Sequence, residues 1–433
     1  MKLSRIGRVS MAFVVSVAMG LGMTACGGGT IGFMWVLGTQ FNQIAGFKID
    51  DFSGNLTNIV GSPFTSGGAD PVSLVVSSGG RFVYVINHGS STAPASGSAP
   101  LPCGTAGGIA EFSVGGQGVL TFQQCFTSQG FNPIWATKDS TGNFLYVLDQ
   151  QAPKLSTAAA TDPLPPYGDI TVFSIAADTG RLSLIVNQQV KDPGTQAQLT
   201  YFPVGNTPTM ITVASGCAFT LNAGSSGSGT TTTLPTVTPY SVGTGGQLAQ
   251  TTNSNIAISA TRPTSILTGS STSTVFITDA GAPNSTGQIL PFTVGTTTAC
   301  SLNTVTGGAV ANLPLTSNPV FSLADSTGKY LYVLNQSSTN STLANSSVSA
   351  FNLQTVPYTA IPDGTNNPYA VGSGPVCMVE DPSDQYMYTA NGDGTVTGKL
   401  LDRNTGKLSA LSRGSTFQAV GQATCLAVSG NVN

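Results

Sequence analysis

Few side chains in this 433-residue chain can do acid–base chemistry: there is one histidine, His88, and charged residues make up 8% of the total. Asp70 and His88 could form a carboxylate–imidazole pair that activates water as a general base. The plain alternative is an exposed charge pair worth about 0–1 kcal/mol. Arg262 could clamp an anionic group with its guanidinium fork, or simply pair with Asp279. Asp149 and Asp279 are further ligand-binding candidates; both end a strand b of the repeat described below, and Asp169 opens a strand c. Trp135 and Phe321, with Met210, could offer apolar faces to a sugar or an apolar ligand, or serve only as packing. A single histidine rules out a multi-histidine metal centre, and no Cys-x-x-Cys is present, so neither a metal nor a cofactor is expected. The net charge is −3 and no basic stripe is visible, which argues against a nucleic-acid partner.

The elements that must hold these residues follow from composition and repetition. The chain has 53 Gly and 25 Pro but only two Glu, Glu111 and Glu380. Long amphipathic helices need charged residues and alanine on their wet faces, so the expectation is an all-β chain. A unit recurs: Pro, an apolar run, a Ser/Gly turn, then an aromatic-rich strand ending in Asn or Asp. Examples are PVSLVVSSGGRFVYVIN from Pro71, PIWATKDSTGNFLYVLD from Pro133 and PVFSLADSTGKYLYVLN from Pro319. Further copies begin at Pro208, Pro263 and Pro375, and a truncated one at Ala423. An alternating strand, a turn and Gly-x-Leu follow each copy, as in DITVFSIAADTGRL from Asp169. Such alternation marks half-buried strands. Each repeat therefore holds four strands, a to d, and four antiparallel strands per repeat is the pattern of a β-propeller.

The chain ends supply the count. The seventh copy stops after strand a, while the N-terminal region offers Phe33 to Leu37 as an orphan strand b, then a c and a d. The expected fold is a seven-bladed propeller of four-stranded antiparallel blades over residues 33–433, its closing blade shared by both termini. Loops d–a and b–c then lie on one face. The b–c loops 88–107, 150–168 and 223–235 are long and rich in Ser, Thr, Pro and Gly, which suits a binding face on a rigid scaffold. The a–b register places Asp70 opposite His88, and Arg262 near Asp279, on that same face. Glu380 falls on the opposite face.

Residues 1–25 read as a leader. Lys2, Arg5 and Arg8 precede an apolar stretch too short to span a bilayer comfortably. Met23-Thr24-Ala25-Cys26 resembles a bacterial lipobox, whose cysteine is lipidated; an ordinary secretory signal is the alternative. Residues 26–32 then form the lipidated Cys26 and a Gly-rich tether. The expected location is the bacterial cell envelope, lipid-anchored and extracytoplasmic, on the outer-membrane or periplasmic side, with the membrane as a partner and the protein a monomer. Six further cysteines in an oxidising compartment suggest disulfides.

The repeat unit resembles the 6-phosphogluconolactonase-like seven-bladed propellers, the lactonase family, and Ser77 to Asn87, Ser326 to Asn335 and Ile170 to Leu182 match it well. The resemblance spans about residues 33–433 and implies that fold and a lactone-opening hydrolase. Family members often present Arg and His just after the strand-a proline. Here those positions hold Val72-Ser73, Ile134-Trp135, Thr209-Met210, Thr264-Ser265, Val320-Phe321 and Val376-Cys377, with no cation among them. Cys377 and Cys425 occupy equivalent places in neighbouring blades and are the preferred pair. Cys103 with Cys125 is next, and Cys217 with Cys300 remains. Three functions stay open: a non-catalytic scaffold binding a glycan, a small ligand or an envelope protein; a lactone hydrolase using Asp70, His88 and Arg262; and a structural envelope protein.

Overall fold

The computed structural model describes residues 29–92, 97–224, 233–253, 255–269, 273–282, 286–296, 298–308, 317–337 and 346–430. Cys26 and the leader lie outside the described residues. Seven antiparallel sheets follow one another in chain order, each with the order d-c-b-a. The first blade is Pro71–Val76, Phe82–Asn87, Gly108–Val114 and Leu120–Phe126. The inner strands of the next five blades are Phe131–Lys138, Pro208–Ala214, Pro263–Thr268, Ser317–Ala324 and Pro375–Glu380. The seventh blade joins the C-terminal inner strand Ala423–Gly430 to three N-terminal strands, Thr30–Gly38, Gln43–Asp50 and Leu56–Asn58. Trp35 stands opposite Ala427, and Phe33 opposite Ser429, so each terminus pairs an edge the other would leave open. Neighbouring inner strands touch all the way round, closing the ring.

Two local differences from the sequence reading stand out. The strand expected from Phe33 begins at Thr30, which pairs with Asp50, so residues 30–32 belong to the blade and not to the tether. The outer strands are also frequently broken: in five blades a second short segment, such as Phe202–Asn206 or Thr416–Gln418, pairs with strand c beyond the end of d. Every inner strand carries a bulge near its start, just after the repeat's proline in six blades, as at Pro71/Ser73 and Pro375/Cys377, and the added twist suits a strand at the crowded hub.

Blade-to-blade contact explains why the two halves of the repeat recur. The strand-b tyrosine of one blade donates its hydroxyl to the carbonyl of the Gly-x-Leu glycine in the next. Tyr84 reaches Gly180 at 2.5 Å, Tyr146 Gly246 at 3.3 Å, Tyr332 Gly406 at 2.9 Å and Tyr388 Gly54 at 2.6 Å. Across the closing junction Trp35 Nε1 bonds Gly118 at 3.1 Å. These glycines have φ between 68° and 78° and lie flat on the aromatic two residues before the tyrosine or tryptophan, so a Cβ would strike Phe33, Phe82, Phe144, Tyr330 or Tyr386. The two remaining junctions use other chemistry. Between the third and fourth blades Cys217 takes the aromatic position and Cys300 the glycine position, with φ 44°, and the two form a disulfide. Between the fourth and fifth, Phe276 meets Tyr358 with ring centroids 6.1 Å apart. Disulfides also join Cys103 to Cys125 and Cys377 to Cys425.

Candidate functional site

The long-loop face is built from a repeated corner. The residue before the strand-a proline is left-handed in several blades: Asp70 at φ 51°, Asn132 at 55°, Thr207 at 52° and Gly374 at 62°. Its carbonyl accepts the amide of the residue that follows strand b. His88 bonds Asp70 this way at 2.8 Å, Ala223 bonds Thr207 at 2.9 Å, and Gly392 bonds Gly374 at 2.8 Å. Asp70 and His88 are thus brought together, but through the backbone. The His88 Nδ1 lies 3.1 Å from the carbonyl oxygen of Gly89, and no bond among the described residues joins its ring to the Asp70 carboxylate. The oriented general base expected from sequence is therefore not assembled. Asp tolerates left-handed backbone better than most residues, and this accounts for Asp70 structurally.

Asp279 and Asp149 are buried corner posts, not exposed ligand contacts; both are 0% exposed. The Asp279 carboxylate accepts the amides of Thr261, Arg262 and Gly281 and the Gln288 side chain, at 2.7–3.1 Å. The Arg262 guanidinium turns away and bonds Asn318 Oδ1 at 2.7 Å. The backbone of Arg262 meets Asp279 while its charge remains at the surface. In the second blade Asp149 stands directly across the sheet from Asp169, also 0% exposed. Asp149 accepts the hydroxyls of Ser128 and Thr171 and the Gly130 amide. Burial pushes Asp149 up to about 7 and raises Asp169 well above the usual carboxylate range, with the neighbouring Asp149 charge adding to the rise. Other blades place asparagine there: Asn222, Asn335 and Asn391 donate their amides to strand-c hydroxyls.

The hub is filled one level further in. Trp135 of the second blade and Phe321 of the fifth meet with ring centroids 6.0 Å apart. Rings from blades so far apart around the circle can meet only across the axis. Met210 and the Cys377–Cys425 disulfide occupy the equivalent inner-strand positions. The aromatic pair meets where the sequence offered either apolar faces to a ligand or inner-strand packing, and in the structure the two rings pack on each other.

Two clefts remain. On the long-loop face a cleft of about 560 Å3 lies between the second and third blades, lined by Tyr167, Pro203, Asn206, Leu234, Thr236 and Asn255 among others. No charged side chain among the described residues lines it, and Leu234 is 73% exposed beside it. At the opposite mouth of the bore a cavity of about 640 Å3 is walled by Leu74, Val76, Leu323, Val379 and Val428, with Lys138 and Glu380 on its rim. Lys138 escaped the sequence reading. Aligning the repeats five residues after their proline, or after Ala423 in the seventh, would have shown it: the column reads Val76, Lys138, Val213, Thr268, Ala324, Glu380, Val428, two opposite charges in an otherwise uncharged ring.

No protein-family model matches the sequence, and no curated protein matches it. Solved structures do match its fold. The periplasmic gluconolactonase of Pseudomonas aeruginosa is 14% identical at a TM-score of 0.64, over 93% of this chain and 100% of that one. A candidate 6-phosphogluconolactonase of Bacteroides fragilis is 16% identical at 0.63, over 92% and 98%. A protein of Lactobacillus plantarum is 16% identical at 0.64, over 93% and 100%. The chain thus has the seven-bladed propeller fold of the 6-phosphogluconolactonase-like structures. At these identities the likeness extends to the fold alone.

Proposed function

We propose that the protein is a non-catalytic binding propeller, monomeric and held outside the cytoplasm by a lipid on Cys26, whose long-loop face takes a neutral, hydroxyl-rich ligand such as a glycan. The uncharged cleft at Tyr167 carries this reading. A phenol ring offers a face to sugar C–H groups and a hydroxyl for bonding, and Asn206 and Asn255 add amides. The absence of charge from its lining suits a neutral partner over an acidic or basic one. A glycan panel probed with purified protein should give saturable binding that tolerates salt. Tyr167→Ala should weaken it at least tenfold without lowering the unfolding temperature appreciably. Binding unchanged in that variant would remove the cleft from the account. Cys26→Ser should release the protein from membranes, and a variant that stays membrane-bound would refute the anchor. Lactone hydrolysis, the activity named for the Pseudomonas neighbour, is the alternative; it would draw on Asp70, His88, the one imidazole in the chain, and Arg262.

A further inference from the structure

The cavity at the opposite mouth of the bore belongs to none of the sites considered so far. Its walls come from the inner strands of the fifth, sixth, seventh, first and second blades and are largely aliphatic, with Ser77, Ser78, Thr137 and Ser429 among them. Two ionisable side chains interrupt them, one of each sign, and the seventh and first blades lie between them along the rim. Each makes one protein hydrogen bond. Lys138 Nζ donates to the Val76 carbonyl at 2.8 Å, and Glu380 Oε2 accepts the Ser326 amide at 2.6 Å. Neither forms an ion pair among the described residues. The acidic groups near Glu380, namely Asp384, Asp325 and Asp381, only add negative charge; Asp139 is the neighbour that favours the Lys138 charge. Asp139, Asp325 and Asp381 are themselves spent on the a–b turns, where each carboxylate accepts the first amide of strand b.

A half-buried ammonium and a half-buried carboxyl that make no ion pair among the described residues are costly in an apolar setting. Burial acts against the charge on both: it lowers Lys138 and pushes Glu380 up to about 7. A ligand carrying both missing charges relieves both at once. The ammonium retains N–H donors beyond the one given to Val76.

We propose that this cavity binds a small zwitterion with an apolar body, such as an apolar free amino acid, its carboxylate on Lys138, its ammonium on Glu380 and its side chain against the aliphatic wall. The site is separate from the long-loop cleft, so either can fail without the other.

Leucine is the probe, with leucinamide, which lacks the carboxylate, and 4-methylpentanoate, which lacks the amine, as its charge-deleted partners. Titration calorimetry on the wild-type chain should show saturable leucine binding and at least tenfold weaker binding of both analogues. Lys138→Met should weaken leucine at least tenfold while leaving leucinamide unchanged. Glu380→Gln should weaken leucine and leucinamide while leaving 4-methylpentanoate unchanged. Thermal unfolding of each variant near the wild-type temperature establishes that the blades remain closed. Equal binding of all three compounds, or no leucine binding to the folded wild-type protein at 10-fold millimolar excess, would overturn the proposal. So would a variant that weakens all three compounds alike.

Discussion

Asp149 and Asp169 face each other across one sheet, fully buried, and two carboxyls so placed cannot both ionise freely. Asp149 already receives three donors, so it is the better holder of charge. Asp169 then keeps the proton and can donate it to Asp149. The pair titrates as a unit. Both groups lie above their ordinary range when folded, so their stabilising contribution is complete below about pH 4. It is lost as the pH rises through about 7 and beyond. Asp169→Asn supplies a donor that does not titrate. It should match wild type near pH 4 and exceed it by about 2 kcal/mol at pH 8.5 in chemical denaturation. An equal difference at both pH values would show that no proton is shared. Sequence put Asp149 at the end of a strand b and Asp169 at the start of a strand c, and read Asp149 as a ligand contact. What it could not show was the roof: a Cβ on Gly130 would meet both side chains, so no ligand has room there.

At the scale of elements, the Tyr-to-Gly-x-Leu contact joins successive blades in the same way that strand pairing joins strands within a blade. Tyr388→Phe removes a buried donor and leaves the Gly54 carbonyl wanting, which should cost about 1–2 kcal/mol in unfolding free energy. The Cys217→Ala/Cys300→Ala double variant, at the junction that lacks the tyrosine, should cost about 2–5 kcal/mol. A stability loss in neither case would mean that the blade faces, not these latches, hold the ring. Both halves of the latch were legible as repeating strings. Their mutual contact was not, because Tyr84 and Gly180 are 96 residues apart, and single-sequence periodicity reports only local geometry. The breaks in the outer strands were equally invisible: those strands are half exposed, so little apolar patterning marks where pairing stops and resumes.

For the whole molecule, closure of the seventh blade by both termini was readable because strands were missing at one end and surplus at the other. The functional faces were read less well. The long-loop face drew attention through its insertions and its few charges, yet the fold uses most of those charges as corner posts. Asp279 caps a turn and Asp70 occupies a left-handed corner that Asn132, Thr207 and Gly374 fill elsewhere. The Trp135–Phe321 pair packs across the axis between the two faces. The central claim is that this propeller binds and does not hydrolyse. Its most direct test is acid release from a broad lactone panel, followed by pH-stat with wild-type protein and His88→Ala. The account predicts rates indistinguishable from buffer for both proteins. Saturable turnover by wild type that His88→Ala abolishes would contradict it.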